Sequence, residues 1–383
     1  MQRRAEVAEI RSAVRDLCAR YPGAYWRSLE PDTYPDAFVD ELTGSGWLAA
    51  LIPEQYGGAG LGLLEASVIL EEINAAGGNA AACHAQMYTM GTILRHGSEA
   101  QKDSYLPRIA RGELRLQAFG VTEPNAGSDT TKISTVATRV SDGYVIKGQK
   151  IWTSRAEHSD LMLLLARTTP LERVERRSAG LSTFVVDMKA AGGALRIRPI
   201  KTLMNHATTE VFFDDVHVPT DALIGEEGQG FRYILDGMNA ERVLIAAECI
   251  GDGKWFIERA TKYANERQVF GRPIGANQGV QFPISRAYID IEAADLVRYR
   301  AAELFDLGQP MGAEANMAKY LASEAAWQAA NVCLDTHGGF GFAQEYDIER
   351  KFRETRLYRV APVTNNLVLS YIGEHVLGLP RSY

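Results

Sequence analysis

Residues 120–129 read Gly-Val-Thr-Glu-Pro-Asn-Ala-Gly-Ser-Asp. Thr122, Asn125, Ser128 and Asp129 are turn and cap formers, Pro124 fixes one backbone angle, and Gly127 permits a close approach or a positive φ. A run of this kind does not build core. It presents backbone N–H groups and short hydroxyls outward, an arrangement suited to a polar ring or a phosphate.

The chain changes character on either side of this loop. Residues 1–115 carry helical periodicity, as in Leu63-Leu64, Val68-Ile69 and Ile73, interrupted by turn clusters such as Tyr56-Gly57-Gly58-Ala59-Gly60. Residues 116–222 alternate instead. Val136–Val140, the turn Ser141-Asp142-Gly143 and Tyr144–Lys147 form a hairpin signal, and Leu161–Leu165, Leu181–Val186, Leu195–Ile200 and Val211–Val218 are further strand candidates. Residues 223–383 return to long helical patterns with Gly and Pro mostly at the breaks. The order predicts an α+β chain: an N-terminal helical domain (1–115), a middle β-sheet domain of barrel or sandwich type (116–222), and a C-terminal four-helix bundle (223–383). No internal repeat or low-complexity tract interrupts it.

Composition narrows the function classes. The chain has 383 residues, 46% hydrophobic and 23% charged, which describes a globular protein of two or three domains. A net charge of −7 and a pI near 5.6 argue against nucleic acid as a main partner. No apolar run reaches membrane-spanning length. The start Met-Gln-Arg-Arg is soon followed by Glu6 and Glu9. Ile10, Val14 and Cys18 recur at helical spacing, which predicts an amphipathic surface helix rather than a signal peptide. Cys18, Cys83, Cys249 and Cys333 form no C-x-x-C pair and the seven histidines no H-x-x-x-H pair. Metal sites are therefore not expected, and a reducing compartment is.

The 120–129 loop resembles the T-E-P-x-A-G-S-D loop of the acyl-CoA dehydrogenase family, and the resemblance covers nearly the whole chain. Lys150-Ile151-Trp152-Thr153-Ser154 resembles that family's K-x-W-x-T/S strand. Arg267–Ile274 with Gln278 resembles its R-x-x-F-G-x-x-I…Q segment. His337-Gly338-Gly339-Phe340-Gly341-Phe342, then Arg353 and Tyr358, resembles its G-G-x-G-Y…R-D-A-x-Y tail. The resemblance implies an FAD cofactor. Trp152 would wall the flavin ring and Ser154 serve its edge, with Phe119, Val121, Thr122 and Ser128 along the ring and ribityl chain. Arg267 and Phe270 would reach the FAD of a neighbouring subunit, and Gln278, Gly338, Gly339 and Thr364 would hold the rest of the cofactor. Such a site spans a subunit interface and implies a homotetramer.

The implied reaction takes a proton from Cα of an acyl-CoA and a hydride from Cβ, giving a trans-2-enoyl-CoA. It needs a carboxylate at Cα in a dry site. Many family members place that Glu in a Y-x-x-x-E-G-T stretch, but here Tyr358-Arg359-Val360-Ala361-Pro362-Val363-Thr364 puts Pro362 there. Isovaleryl-CoA and long-chain acyl-CoA dehydrogenases carry the base earlier, directly before an Arg. Glu241-Arg242, with Glu241 26 residues before Arg267, fits that arrangement. Glu241 is thus the expected base, Glu248 its rival two turns on, and Arg242, with Ser128, a substrate-binding candidate. Pro362 also lacks the N–H that in the family binds the thioester oxygen. Val363 would then donate after a one-residue shift, or the oxygen is held differently, or the substrate is not a thioester.

Two further positions depart from the family pattern. Asp335 stands where Gln is common, and the loop Lys201–Thr209 is shorter and lacks its usual Gly and Arg. The expected electron acceptor is an electron-transferring flavoprotein, and the expected location the cytoplasm, or the mitochondrial matrix in a eukaryote. The competing readings are a flavin oxidase or monooxygenase of the same fold acting on a nitroalkane or amine, and a non-catalytic partner subunit.

Overall fold

The computed structural model describes residues 2–381. Helices α1 (Gln2–Cys18), α2 (Gly23–Ser28), α3 (Asp36–Gly44), α4 (Leu63–Ala75), α5 (Ala81–His96) and α6 (Glu99–Ala110) come first. Strands follow: β1 (Ala118–Gly120), β2 (Val136–Val140), β3 (Gly143–Ser154), β4 (Leu161–Arg167), β5 (Leu181–Asp187), β6 (Leu195–Pro199), β7 (Thr208–Pro219) and β8 (Leu223–Ile224). Then come α7 (Gly230–Glu266), a hairpin of β9 (Gln268–Val269) and β10 (Arg272–Pro273), α8 (Gln278–Asp306), α9 (Gly312–His337), α10 (Ile348–Thr355) and α11 (Asn365–Tyr371). The helical, β and helical regions follow in the expected order. The chain packs as two compact units, each discontinuous in sequence. One contains residues 32–61 and 81–238, the other residues 1–31, 62–80 and 239–383.

In the first unit eight strands form one sheet in the order β6-β7-β3-β2-β4-β5-β8, with β1 added in parallel to β4. β7 and β5 are far apart in that order, yet Val211 and Phe213 of β7 share one core with Phe184 and Val186 of β5. The sheet therefore curls around its own apolar interior. The leucine run of β4 is explained by burial on both faces. Met162 and Leu164 enter that interior, while Leu161, Leu163 and Leu165 pack with Met90, Ile93, Leu106 and Ile109 of α5 and α6. The predicted hairpin forms, with Val140 opposite Gly143. Gly143 is required there: a Cβ would lie 2.0 Å from the Val218 carbonyl oxygen. The second arm does not end at Lys147 as the sequence suggests. It continues to Ser154, because a bulge at Gly148 lets the strand bend past Thr135 without losing its pairing with β7.

The second unit holds α7 from Asn239 onward together with α8 and α9; these three helices are long, at 37, 29 and 26 residues, while α10 and α11 are short, and α4 packs on α8. α4 is buried nearly all round, so its apolar periodicity marks a central helix rather than a surface one. Its N-terminal amides at Leu63 and Leu64 donate to the Asp306 carboxylate at 2.7 and 3.3 Å. Its Glu71 is wholly buried and accepts from Arg11 (2.8 Å), Lys254 (2.6 Å) and Arg298 (2.6 Å). Burial alone would raise the Glu71 carboxyl, but Arg298, Lys254 and Arg11 together hold it down at about 2. α1 forms as expected and buries Ile10, Val14 and Cys18.

Candidate active site

The 120–129 loop leaves β1 and is shaped by one buried ion pair. Glu123 and Ala126 exchange backbone hydrogen bonds of 3.1 Å, which leaves Pro124 and Asn125 exposed at the tip. Lys150, fully buried on β3, donates to the Val121 carbonyl (3.0 Å) and to Glu123 Oε1 (2.9 Å). The Glu123 carboxylate also accepts from the Ser134 amide (2.6 Å), the Ser134 hydroxyl (2.8 Å) and the Thr135 amide (2.9 Å). Burial would raise this carboxyl, yet Lys150 and these donors bring it down to about 2; burial pushes Lys150 down to about 8 against the pull of Glu123. Sequence reading gave Glu123 and Lys150 no such role, although both lie inside the quoted motifs. A Glu-Lys pair separated by 27 residues carries no local signal of contact.

The loop is fastened beside Trp152. The Ile151 amide donates to the Thr122 carbonyl at 2.9 Å, and the next residue, Trp152, sits at a bulge with φ 61°. A large residue in this left-handed region is strained. The residue is 58% exposed, so the strain does not serve burial. Phe119, Val121, Thr122 and Ser154 are half-buried around this edge, and Ser128 is exposed farther along the loop. The short loop from Lys201 to Thr209 packs through contacts of its own. Met204 is buried, Asn205 donates to the Thr33 carbonyl (2.8 Å), and His206 Nδ1 lies 3.3 Å from Arg155. Burial and the nearby Arg155 push His206 well below the usual histidine range.

The other unit carries Glu241, which is buried at 5% exposure. Arg242 beside it donates from Nη1 to Asn239 Oδ1 at 2.8 Å. Burial pulls the Arg242 guanidinium below the usual range, opposed by Glu241 and Tyr371. Glu248 is buried as well, and its charge reaches the Tyr358 phenol. Lys319 of α9, fully buried, was missed by sequence reading. Its Nζ donates to the Val363 carbonyl (2.7 Å) and to Asn365 Oδ1 (2.6 Å), which fixes the segment that follows Pro362. Burial brings Lys319 down to about 8.

Farther along the same unit, Phe270 and Gly271 form the two-residue tip of the β9–β10 hairpin, with φ 52° and 76°. Both positions of such a turn need positive φ, where Asn-Gly is usual and Phe is strained. Phe270 is also fully exposed. Arg267, Gly338 and Gly339 line one open pocket of about 650 Å³ with Asp335, His337 and Tyr263, whereas Gln278 and Thr364 do not line it. The imidazole of His337 stacks on Tyr263 at 4.2 Å, and the Arg267 guanidinium lies over Phe340 at 5.9 Å. Gln278 is exposed at the first turn of α8, and Thr364 Oγ1 caps α11 by accepting from the Leu367 amide at 3.4 Å.

Each unit taken by itself carries features suited to part of a flavin dinucleotide. An exposed aromatic face stands beside a loop of short polar side chains. A Cβ on Gly338 or Gly339 would meet nothing within 4 Å, so the backbone there is open to a ligand next to a cation. Among the described residues no group of three or more His, Cys, Asp or Glu could hold a metal, and no helix is long and apolar enough to cross a membrane.

Comparison with known proteins points the same way. Residues 4–113, 118–216 and 228–377 match the family models for the acyl-CoA dehydrogenase N-terminal, middle and C-terminal domains. The chain is 35% identical to the acyl-CoA dehydrogenase FadE12 of Mycobacterium tuberculosis (strain ATCC 25618 / H37Rv) over 378 residues, covering 98% of this chain and 96% of that protein. Among solved structures it resembles a glutaryl-coenzyme A dehydrogenase in its glutaryl-CoA complex (TM-score 0.90, 31% identity, 98% and 96% of the two chains). It also resembles PigA with FAD and proline (TM-score 0.90, 26% identity, 98% of each chain).

Proposed function

The chain belongs to the acyl-CoA dehydrogenase family of FAD-dependent oxidoreductases, and from that premise we propose that it converts an acyl-CoA thioester to a trans-2-enoyl-CoA with Glu241 as the base. The observation that carries the assignment is the burial of Glu241. A Glu beside an Arg on a helix is ordinarily a solvated pair of small worth, and this carboxylate is not solvated. With Pro362 at the alternative position, the C-terminal segment offers no carboxylate there.

FAD, when bound, supplies the hydride acceptor. The chain does the rest. Glu241 takes the α-proton in a site from which water is kept. Trp152 presents a flat face to the flavin, with Phe119, Val121, Thr122 and Ser154 at its edge. Ser128 and Arg242 meet the substrate. Arg267 and Phe270 reach the cofactor of a second copy, which accounts for a large aromatic residue left strained and fully wet at a hairpin tip. Gln278, Gly338, Gly339 and Thr364 hold the remainder of the cofactor. The domain limits 1–115, 116–222 and 223–383 belong to this reading. So does a homotetramer, which the apolar side chains of Phe282, Ile289 and Leu296, exposed at seven-residue spacing on α8, support. An electron-transferring flavoprotein as acceptor and a cytoplasmic or matrix location complete it.

The test is anaerobic flavin bleaching with a panel of straight-chain, branched and dicarboxylic acyl-CoAs. Bleaching by at least one is expected. A second reading, an oxidase of the same fold acting on a non-CoA substrate, is favoured by Pro362, which removes the N–H at that position. No bleaching by any acyl-CoA, with rapid reoxidation by oxygen after reduction by an amine or nitroalkane, would transfer the assignment to it.

Arg267→Ala is expected to lower flavin occupancy and weaken assembly together, since one side chain serves a pyrophosphate across an interface. Flavin content by absorbance and oligomeric state by light scattering check this. Full occupancy in an unchanged oligomer would remove Arg267 from the cofactor site.

A further inference from the structure

Pro362 poses a chemical problem that Arg242 is placed to answer. A thioester whose α-proton is removed accumulates negative charge on its carbonyl oxygen, and a preorganised donor at that oxygen lowers the barrier strongly in such catalysis. The peptide nitrogen at 362 cannot donate. In the same unit, among the described residues, Arg242 is held at one end only, by its Nη1 bond to Asn239. Its Nε is buried and meets no acceptor among the described residues. A buried N–H of a cation left without an acceptor is costly, and native structures rarely leave one without reason. The surroundings contain further positive charge. Arg242 lies within electrostatic reach of Lys319, which is tied to Val363 and Asn365 on the segment after Pro362. Glu241 is the adjacent residue on α7, and its charge reaches the guanidinium.

We propose that Arg242 Nε–H donates to the carbonyl oxygen of the bound thioester and stabilises the enolate formed as Glu241 removes the α-proton. This rests on the reading of Glu241 as the base. The Cα–H bond breaks, its proton goes to the Glu241 carboxylate, and its electron pair moves into the Cα–C bond as charge passes to oxygen. Arg242 donates a hydrogen bond and transfers no proton. Lys319 is a positioning residue, holding the segment whose own donor is missing.

The experiment reads enolate stability directly, through the pH at which bound acetoacetyl-CoA ionises, followed by its enolate absorbance in the flavin-loaded enzyme. In Arg242→Gln that ionisation is expected to move up by about two pH units, the same factor of about 100 expected for the rate of flavin reduction by substrate. KM should stay within a few-fold. Arg242→Lys keeps a positive charge but has no Nε, and should show most of the same loss. It also serves as the measured variant if the Gln form does not fold, with flavin content and far-UV circular dichroism as controls. A raised KM with an unchanged reduction rate would overturn the proposal and make Arg242 a holder of the CoA arm. So would an unshifted ionisation, or a parent enzyme in which bound acetoacetyl-CoA forms no enolate. Glu241→Gln separates the two readings. Undiminished flavin reduction in that variant defeats the base assignment, whereas an inactive Glu241→Gln together with an unshifted Arg242→Gln defeats the Arg242 assignment alone.

Discussion

Glu241→Gln should bind acyl-CoA and fail to reduce its flavin, with a loss at the large end of the 100- to 10,000-fold range typical of a deleted general base. Gln keeps the size and hydrogen bonding of Glu and loses only the proton acceptor. The usual compensator is missing, because Pro362 occupies the alternative base position. Glu248, buried two turns farther on, is the nearest other carboxylate on that face of α7. Stopped-flow reduction separates them. The variant should still show a ligand-induced shift of its flavin spectrum, because binding and proton removal use different groups. Reduction within a few-fold of the parent would pass the role to Glu248 or to chemistry without a thioester.

Arg298→Met should destabilise the fold by about 3–5 kcal/mol, the range for removing one partner of a buried charge network. Arg298 and Glu71 are both wholly buried, and Arg298 also pairs with Asp295 and donates to Ser67 at 2.9 Å. Its removal leaves carboxylates short of a donor in a dry interior. Arg15→Met is the internal contrast. Arg15 is 67% exposed and meets Glu72 at 3.0 Å, so it should cost no more than about 1 kcal/mol. Urea unfolding followed by circular dichroism compares them, and equal losses would show that burial does not govern the network. Acid should resemble the Arg298 variant. The folded-state carboxyl of Glu71 is depressed from 4.5 to about 2, so its stabilisation is present above pH 4.5 and is lost as pH falls toward 2.

Much of the architecture was legible because it rests on local patterns. The β2–β3 hairpin follows from alternation and a Ser-Asp-Gly turn, and α7 and α9 from long helical periodicity. What escaped depends on partners distant in sequence. The apolar repeat of α4 marks a helix, and its partners on α1, α7 and α8 show that its glutamates are interior. The strand from Gly143 runs through a polar Lys-Gly-Gln stretch because β7 pairs with it on both sides of a bulge. For the site, the motif residues were visible by resemblance, but the devices that hold them were not. The Lys150–Glu123 pair joins residues 27 apart and the Lys319–Val363 bond residues 44 apart. No short-range signal in the chain marks either contact.

The single helix α7 carries Glu241 and Arg242 about a third of the way along its 37 residues and delivers Arg267 immediately after its end. At 1.5 Å per residue, the 26 residues between Glu241 and Arg267 span about 39 Å of unbroken rod. An α-helix is stiff along its axis, so its two ends cannot be repositioned separately. An axial slide or roll that moves the Glu241 carboxylate shifts the Arg267 guanidinium by the same amount. On the proposed roles, the proton acceptor of one copy and the cofactor contact offered to another would share one mechanical degree of freedom.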